Sequence, residues 1–179
     1  MARHLHVSVV GYNEDSCTET ARDAAYQVGR AVAEGGGIVV CGGLGGVMEA
    51  ACRGASDGGG ISVGVVPSEE PGSANAFCDV VVATGIGGSR NFLVAYSGDA
   101  MVVVGGGAGT LIEMAAAYQA ARPIVAVRGT GGAADEWAGR YIDQRSTVKV
   151  LAGASPKDAV RRALRAAKGV RVRARPIHD

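Results

Sequence analysis

Residues 100–113 combine an apolar run, a turn with four glycines and a helical pattern, and few arrangements accommodate all three. Met101 to Val104 has the length and character of a fully buried strand, and the apolar residues after the turn recur at helical spacing. Glycine lets the backbone approach a ligand closely, while the first turn of a helix presents unpaired N–H groups and partial positive charge. The segment therefore predicts a site for an anion such as phosphate. Thr110 and Glu113 add a hydroxyl and a carboxylate to it.

The same pattern of strand, glycine turn and helix recurs twice. Ile38–Cys41 leads into the glycines of 42–46, and Val80–Ala83 leads through residues 84–89 to Arg90. Because the carboxyl ends of parallel strands meet at one edge of a sheet, where open α/β proteins place their ligands, we expect one site built from three turns.

Short apolar runs alternate with helical patterns along the 179 residues, which predicts an α/β fold. We expect a single domain with a doubly wound, mostly parallel sheet and helices on both faces. The domain should cover residues 1–168, followed by a basic tail at 169–179. The predicted strands are Leu5–Val10, Ile38–Cys41, Ile61–Val66, Asp79–Ala83, Met101–Val104, Ile124–Val127 and Thr147–Leu151.

Helix starts are predicted from capping patterns. Ser16 with Glu19 reads as a capping box, as does Ser155 with Asp158, where Pro156 occupies the first helical position. Residues 129–134 are expected to form a flexible loop before a helix near 135–142.

The formal net charge of +1 offers no general electrostatic argument for nucleic acid. The exception is the chain end, where basic residues could contact phosphate or form an ordinary solvated face and tail. They are Arg161, Arg162, Arg165, Lys168, Arg171, Arg173 and Arg175. Aromatic residues are too sparse there for base stacking, so a nucleic-acid partner is not expected.

Several classes of site lack their signature residues. The four cysteines have no metal-ligand spacing and are expected to be buried reduced thiols, with no metal site. There is no P-loop motif, no strict G-x-G-x-x-G and no central histidine, which disfavours P-loop nucleotidases, NAD dehydrogenases and Ser-His-Asp hydrolases. No signal peptide or membrane span is indicated, so a cytosolic location is expected.

Three ordered motifs, at 42–49, 85–91 and 105–113, resemble the LOG-like proteins of the wider Rossmann-like SLOG group. The most similar variant is the branch that includes the molybdenum cofactor carrier proteins. LOG enzymes cleave the N-glycosidic bond of a nucleoside 5′-monophosphate, and their signature is P-G-G-x-G-T-x-x-E with an upstream Arg-Lys pair. The resemblance places the signature glutamate at Glu113, its threonine at Thr110 and the arginine at Arg90.

Two departures from that signature bear on function. Gly105 stands where the family has proline, and Asn91 stands where it has lysine. These changes favour a carrier or sensor over an enzyme. The older family label, lysine decarboxylase, is excluded because no lysine-bearing motif indicates a site for pyridoxal phosphate.

The resemblance implies a homo-oligomer, a dimer or tetramer, that requires no cofactor. It would bind a phosphorylated nucleotide-type or pterin-type ligand such as a nucleotide, phosphate or molybdopterin. The alternative is a phosphoribohydrolase with Arg90 and Glu113 as catalytic residues. The expected ligand-binding residues are Gly11, Gly42, Gly43, Gly45, Gly46, Arg90, Asn91, Gly105, Gly106, Gly107, Gly109, Thr110 and Glu113.

Three of the charged candidates have a structural alternative. Glu113 could complete a capping box with Thr110. Arg90 lies at a predicted helix start, an unfavourable place for a cation, which suggests an anionic ligand, although it could instead pair with a carboxylate. Glu49 lies in a first helical turn, where acids are favoured in any case.

Overall fold

The computed structural model describes residues 3–171 and contains seven strands in one sheet. The strands are β1 (His6–Gly11), β2 (Ile38–Cys41), β3 (Ile61–Val66), β4 (Val80–Ala83), β5 (Ala100–Val104), β6 (Ile124–Val127) and β7 (Val150–Gly153). The helices are α1 (Glu19–Glu34), α2 (Val47–Asp57), α3 (Arg90–Ser97), α4 (Ala108–Gln119), α5 (Gly132–Trp137) and α6 (Pro156–Arg171).

All neighbouring strands of the sheet are parallel, in the order β4-β3-β2-β1-β5-β6-β7. The chain moves outward from β1 to one edge and then returns to β5 on the other side of β1. The carboxyl ends of β1 and β5 are therefore the topological switch point, where such sheets bind ligands. The register pairs Gly11 with Val104 at this point.

Helices cover both faces of the sheet. Alternate residues of β1, β2, β5 and β6 are buried against α1, α2 and α6 on one face, and against α3, α4 and α5 on the other. These strands are rich in valine and buried on both sides, as expected for parallel strands between two helical layers, whereas the edge strand β4 exposes Val80 and Val82. The predicted single-domain, doubly wound α/β fold is confirmed.

Two predicted helix starts are corrected by the structure. Thr18, not Ser16, caps α1, and its hydroxyl accepts a hydrogen bond from the N–H of Ala21 at 3.1 Å. Ser16 instead ends a 3-10 turn that begins at Glu14. α5 starts at Gly132, inside the predicted loop, because the carboxylate of Asp135 accepts from the N–H groups of the preceding turn.

The structure also excludes the alternative in which Glu113 forms a capping box with Thr110. α4 begins at Ala108 with Gly107 as its N-cap, which places Thr110 inside the first turn. The Thr110 hydroxyl donates to the carbonyl of Gly11 at 3.2 Å and thereby ties α4 to the end of β1. Glu113 is thus one turn too far along the helix to cap it.

The last elements follow the predictions more closely. Ser155 accepts from the N–H of Asp158 at 3.2 Å, and Pro156 opens α6. β7 starts at Val150, three residues later than predicted. The helix continues to Arg171, and the remainder of the predicted basic tail lies outside the described residues.

Within the described part of the chain, no helix has both the length and the apolar character needed to cross a membrane.

Candidate functional site

A cavity of about 350 Å³ opens at the switch point of the sheet. Its walls come from the end of β1, the turn after β2, the start of α3 and the first turns of α4. The lining residues are Val9, Val10, Gly11, Tyr12, Asn13, Ser16, Gly42, Met48, Arg90, Asn91, Gly107, Ala108, Gly109, Thr110 and Glu113. Small-molecule sites have volumes of roughly 300–1,000 Å³, so the cavity suits one small ligand.

Arg90 is the cation of this cavity, and only 8% of it is exposed. Its Nη1 donates to Oδ1 of Asn91 at 2.6 Å and lies 3.4 Å from Oε1 of Glu113. Its Nε is buried and has no hydrogen-bond partner within residues 3–171. Buried polar groups are nearly always paired, so this donor is available to an acceptor of a bound ligand.

Gly42 supports the guanidinium of Arg90 from the turn after β2. A Cβ atom at residue 42 would lie 2.5 Å from Nη2 of Arg90. The absence of a side chain at this position is therefore what lets the guanidinium occupy its place in the cavity wall.

Glu113 is the buried carboxylate beside Arg90, and 6% of it is exposed. Burial raises the pKa of Glu113 to about 7, although the positive charge of Arg90 opposes the shift. Near neutral pH the side chain is therefore present in both protonation states. A buried carboxyl group of this kind can accept or donate a proton at physiological pH.

The N-terminus of α4 forms the third part of the cavity wall. Intrahelical bonding begins with the N–H of Leu111 on the carbonyl of Gly107, at 3.0 Å. The preceding N–H groups, at residues 108–110, have no partner inside the helix, and all three of these residues line the cavity. The helix dipole adds partial positive charge at the same point.

Gly105 explains the departure from the proline of the LOG signature. Its φ is +60°, whereas proline is restricted to about −65°. The ring of Tyr12 occupies the space that a side chain at residue 105 would need. The N–H of Gly105 also donates to Oγ1 of Thr130 at 2.8 Å, a bond that proline cannot make.

Some of the predicted ligand-binding glycines line the cavity and the others do not. Gly11, Gly42, Gly107 and Gly109 line the cavity together with Arg90, Asn91, Thr110 and Glu113. Gly43, Gly45, Gly46, Gly105 and Gly106 do not line it.

The N-terminus of α2 is covered by a side chain of the protein itself. The N–H of Gly46 donates to Oε2 of Glu14 at 2.7 Å, and Glu14 also pairs with Arg22 at 2.8 Å. These contacts lower the pKa of the Glu14 carboxyl, Arg22 having the largest effect. The glycine turn after β2, which we call the second glycine turn, therefore differs from the turn before α4, because a carboxylate of this chain already lies at its helix start.

Other lining residues were not predicted from the sequence. Tyr12 and Asn13 directly follow β1, so their position at the carboxyl edge of a strand was an available signal. Ala108 lies within the predicted anion-binding turn of residues 105–110, whereas Ser16 and Met48 had no such signal. Glu49 does not line this cavity and instead borders a smaller depression, of about 150 Å³, between α1 and α2.

No group of three or more His, Cys, Asp or Glu side chains is arranged to hold a metal ion anywhere in residues 3–171.

Comparison with known proteins agrees with this architecture. The model of the SLOG cluster4 family matches residues 4–160. An uncharacterized protein of Archaeoglobus fulgidus is 38% identical over 124 residues, which cover 69% of this chain and 80% of that protein.

Two solved structures of similar fold belong to proteins named for the molybdenum cofactor. The molybdenum cofactor binding protein of the phototrophic bacterium Rippkaea orientalis is 29% identical, with a TM-score of 0.80 over 90% of this chain and 96% of that one. The molybdenum cofactor carrier protein of Chlamydomonas reinhardtii is 27% identical, with a TM-score of 0.77 over 93% and 99% of the two chains. The chain therefore belongs to the SLOG cluster4 family, in the branch that includes the molybdenum cofactor carrier proteins.

Proposed function

We propose that this protein binds a small phosphorylated ligand of nucleotide or pterin type in the cavity and acts as a carrier or sensor. The observation that carries the proposal is the buried guanidinium of Arg90, whose Nε lacks an acceptor and which lies in the same cavity as the N-terminus of α4. A guanidinium and a helix start both favour a phosphate group, and a phosphate oxygen would supply the missing acceptor.

The rest of the wall suits a flat ring with polar edges. Tyr12 and Met48 offer aromatic and thioether surface, while Asn13 and Ser16 offer hydrogen-bonding groups. Both nucleobases and pterins have this combination of an apolar face and polar edges. The two solved relatives are a molybdenum cofactor binding protein and a molybdenum cofactor carrier protein, which supports the pterin, and the pterin would be bound as cargo.

The proposal is tested by identifying what the protein retains. The full chain is purified, denatured and extracted, and the small molecules released are identified by mass spectrometry. We expect a phosphorylated heteroaromatic compound in proportion to the protein. A protein that releases none, and that binds neither AMP nor inorganic phosphate in calorimetry, would contradict the proposal.

Replacing Gly42 with alanine should weaken phosphate binding without removing any charged group. The added methyl group would displace the guanidinium of Arg90, and the affinity for AMP should fall about tenfold, the size of one charge-assisted hydrogen bond. Calorimetry measures the loss. Gly72→Ala is the matched control, because a Cβ there meets nothing within 4 Å. Equal affinities for the two variants would show that Gly42 does not position Arg90 for binding.

A second candidate function is hydrolysis of a nucleoside 5′-monophosphate. Glu113 favours it, because its raised pKa suits proton transfer at neutral pH. Water would attack C1′ of the ribose, the N-glycosidic bond would break and its electron pair would leave with the base. The carboxylate would stabilise the cationic ribosyl centre or orient the water. Incubation with AMP and with N6-substituted AMP distinguishes the candidates, since only an enzyme releases free base and ribose 5-phosphate.

We also propose that the chain self-associates through α3 and α4. These two helices pack against each other, yet they expose large apolar side chains to solvent. The exposed residues are Phe92, Leu93, Tyr96, Leu111 and Ile112. Exposed apolar surface of this kind is typical of an interface between subunits. Light scattering on the full chain gives the mass in solution, and the mass of one subunit at all concentrations would contradict this proposal.

A further inference from the structure

Three cysteines from distant parts of the chain meet beneath the second glycine turn and form what we call the thiol cluster. Cys41 ends β2, Cys52 lies in α2 and Cys78 precedes β4. Sγ of Cys52 lies 3.4 Å from Sγ of Cys41 and 3.7 Å from Sγ of Cys78. All three are free thiols, and the proposed ligand site does not use them.

Cys52 is the central member of the thiol cluster and its most acidic one. The pKa of Cys52 is lowered to about 4, because the thiols of Cys41 and Cys78 donate hydrogen bonds to its sulfur. The amide of Asn75 lies 4.0 Å from the same sulfur. The pKa of Cys41 is correspondingly raised by its hydrogen bond with Cys52. The arrangement holds one thiolate between two S–H groups, and a thiolate is the nucleophile in disulfide formation.

The surroundings of Cys41 and Cys78 decide which of the two is the disulfide partner of Cys52. Cys41 is completely buried, and its sulfur also accepts from the N–H of Gly43 at 3.4 Å. Cys78 is the one member of the thiol cluster that is not fully buried. Its sulfur lies against Gly64, where a Cβ atom would come within 2.5 Å of it, so the absence of a side chain there makes room for the Cys78 sulfur.

We propose that Cys52 and Cys78 are the site of a reversible disulfide that forms when the protein meets hydrogen peroxide. The Cys52 thiolate attacks one peroxide oxygen and the O–O bond breaks, which leaves a sulfenic acid on Cys52 and a hydroxide. The hydroxide takes the proton of the neighbouring Cys78 thiol and becomes water. The resulting Cys78 thiolate attacks the Cys52 sulfur and displaces its oxygen as hydroxide. One thiolate, one thiol and one peroxide thus become one disulfide, one water and one hydroxide.

The bridge would join two segments that hold the second glycine turn. The segment before β4 contacts this turn through Asn75, whose N–H donates to the carbonyl of Gly43 at 2.8 Å and whose side chain donates to that of Leu44 at 3.0 Å. The other end of the turn leads directly into α2, which carries Cys52. Oxidation would therefore tie α2 to the segment that fixes the turn below Arg90.

The test uses the full reduced chain treated with hydrogen peroxide. We expect the intact mass to fall by two hydrogen atoms, with recovery after dithiothreitol, and peptide mapping to join Cys52 to Cys78. Cys78→Ser should abolish the bridge, whereas Cys41→Ser should keep it. Cys17→Ser is the matched control, because Cys17 is also partly buried but lies outside the thiol cluster.

A further variant distinguishes the proposed route from a failure to fold. In Cys52→Ser the thiol cluster has no thiolate, so peroxide should leave Cys78 reduced and dimedone should not label it, and thermal melting verifies that the variant is folded. A bridge mapped to Cys41 and Cys52 would overturn the proposal. So would loss of the bridge in Cys17→Ser, or oxygen addition in the wild type without any bridge.

Discussion

Arg90→Ala should reduce the affinity for AMP by about ten- to a hundredfold and leave the affinity for adenosine almost unchanged. A hydrogen bond to a charged group contributes roughly 1.5–3 kcal/mol, and only the phosphorylated ligand makes that bond. Glu113 is the carboxylate that loses its ion-pair partner. Since its pKa is already about 7, it can take up a proton and avoid an isolated buried charge.

Calorimetry with AMP and adenosine on the same preparations measures the difference. Arg30→Ala is a suitable control, because Arg30 is exposed on α1 and pairs only locally with Glu34 at 2.9 Å. Equal weakening of AMP and adenosine would assign Arg90 to the structure of the cavity and not to phosphate recognition.

Glu113→Gln should abolish most of the turnover if the protein is an enzyme. The change keeps the size of the side chain and removes its negative charge, and loss of one preorganised electrostatic group typically slows catalysis by about a hundredfold or more. Release of ribose 5-phosphate from AMP measures the rate. In a carrier neither form turns over, and the variant should bind AMP more tightly because a negative charge has left the cavity. A variant that hydrolyses AMP as fast as the wild type would show that Glu113 is not catalytic.

The same substitution has a defined effect on stability. Because the pKa of Glu113 is raised from 4.5 to about 7 on folding, the stability that its proton contributes is complete below pH 4.5 and is lost as pH rises through 7. Between pH 5 and pH 8 the free energy of unfolding of the wild type should fall by about 2–3 kcal/mol relative to that of Glu113→Gln. Urea unfolding of both proteins at the two pH values measures this difference. The same change in unfolding free energy for the wild type and the variant would mean that Glu113 is ionised throughout this pH range.

The sequence was sufficient for the fold because its signals are local. Each strand is a short apolar run that ends in glycine or a polar turn, and a run such as Ile124–Val127 has the same bounds in the structure as in the prediction. The motifs around Gly42, Arg90 and Glu113 were also sufficient for the family, since their order along the chain is itself specific. Helix starts were less certain, because Ser16 and Thr18 both offer a capping hydroxyl and only the path of the chain selects Thr18.

The candidate site depended on contacts that no local pattern contains. Gly42 and Arg90 are 48 positions apart in the sequence, yet the guanidinium of Arg90 fits only because residue 42 has no side chain. In the same way, the ring of Tyr12 fills the space beside Gly105. The carboxylate of Glu14 accepts from the N–H of Gly46 because both residues lie at the carboxyl edge of the sheet, although they are far apart in the sequence. Sequence alone determined which strands and turns exist and the chemistry that they carry. Only the tertiary structure decided which turns open into the cavity, because strand order and helix packing set the distances between residues far apart in the chain.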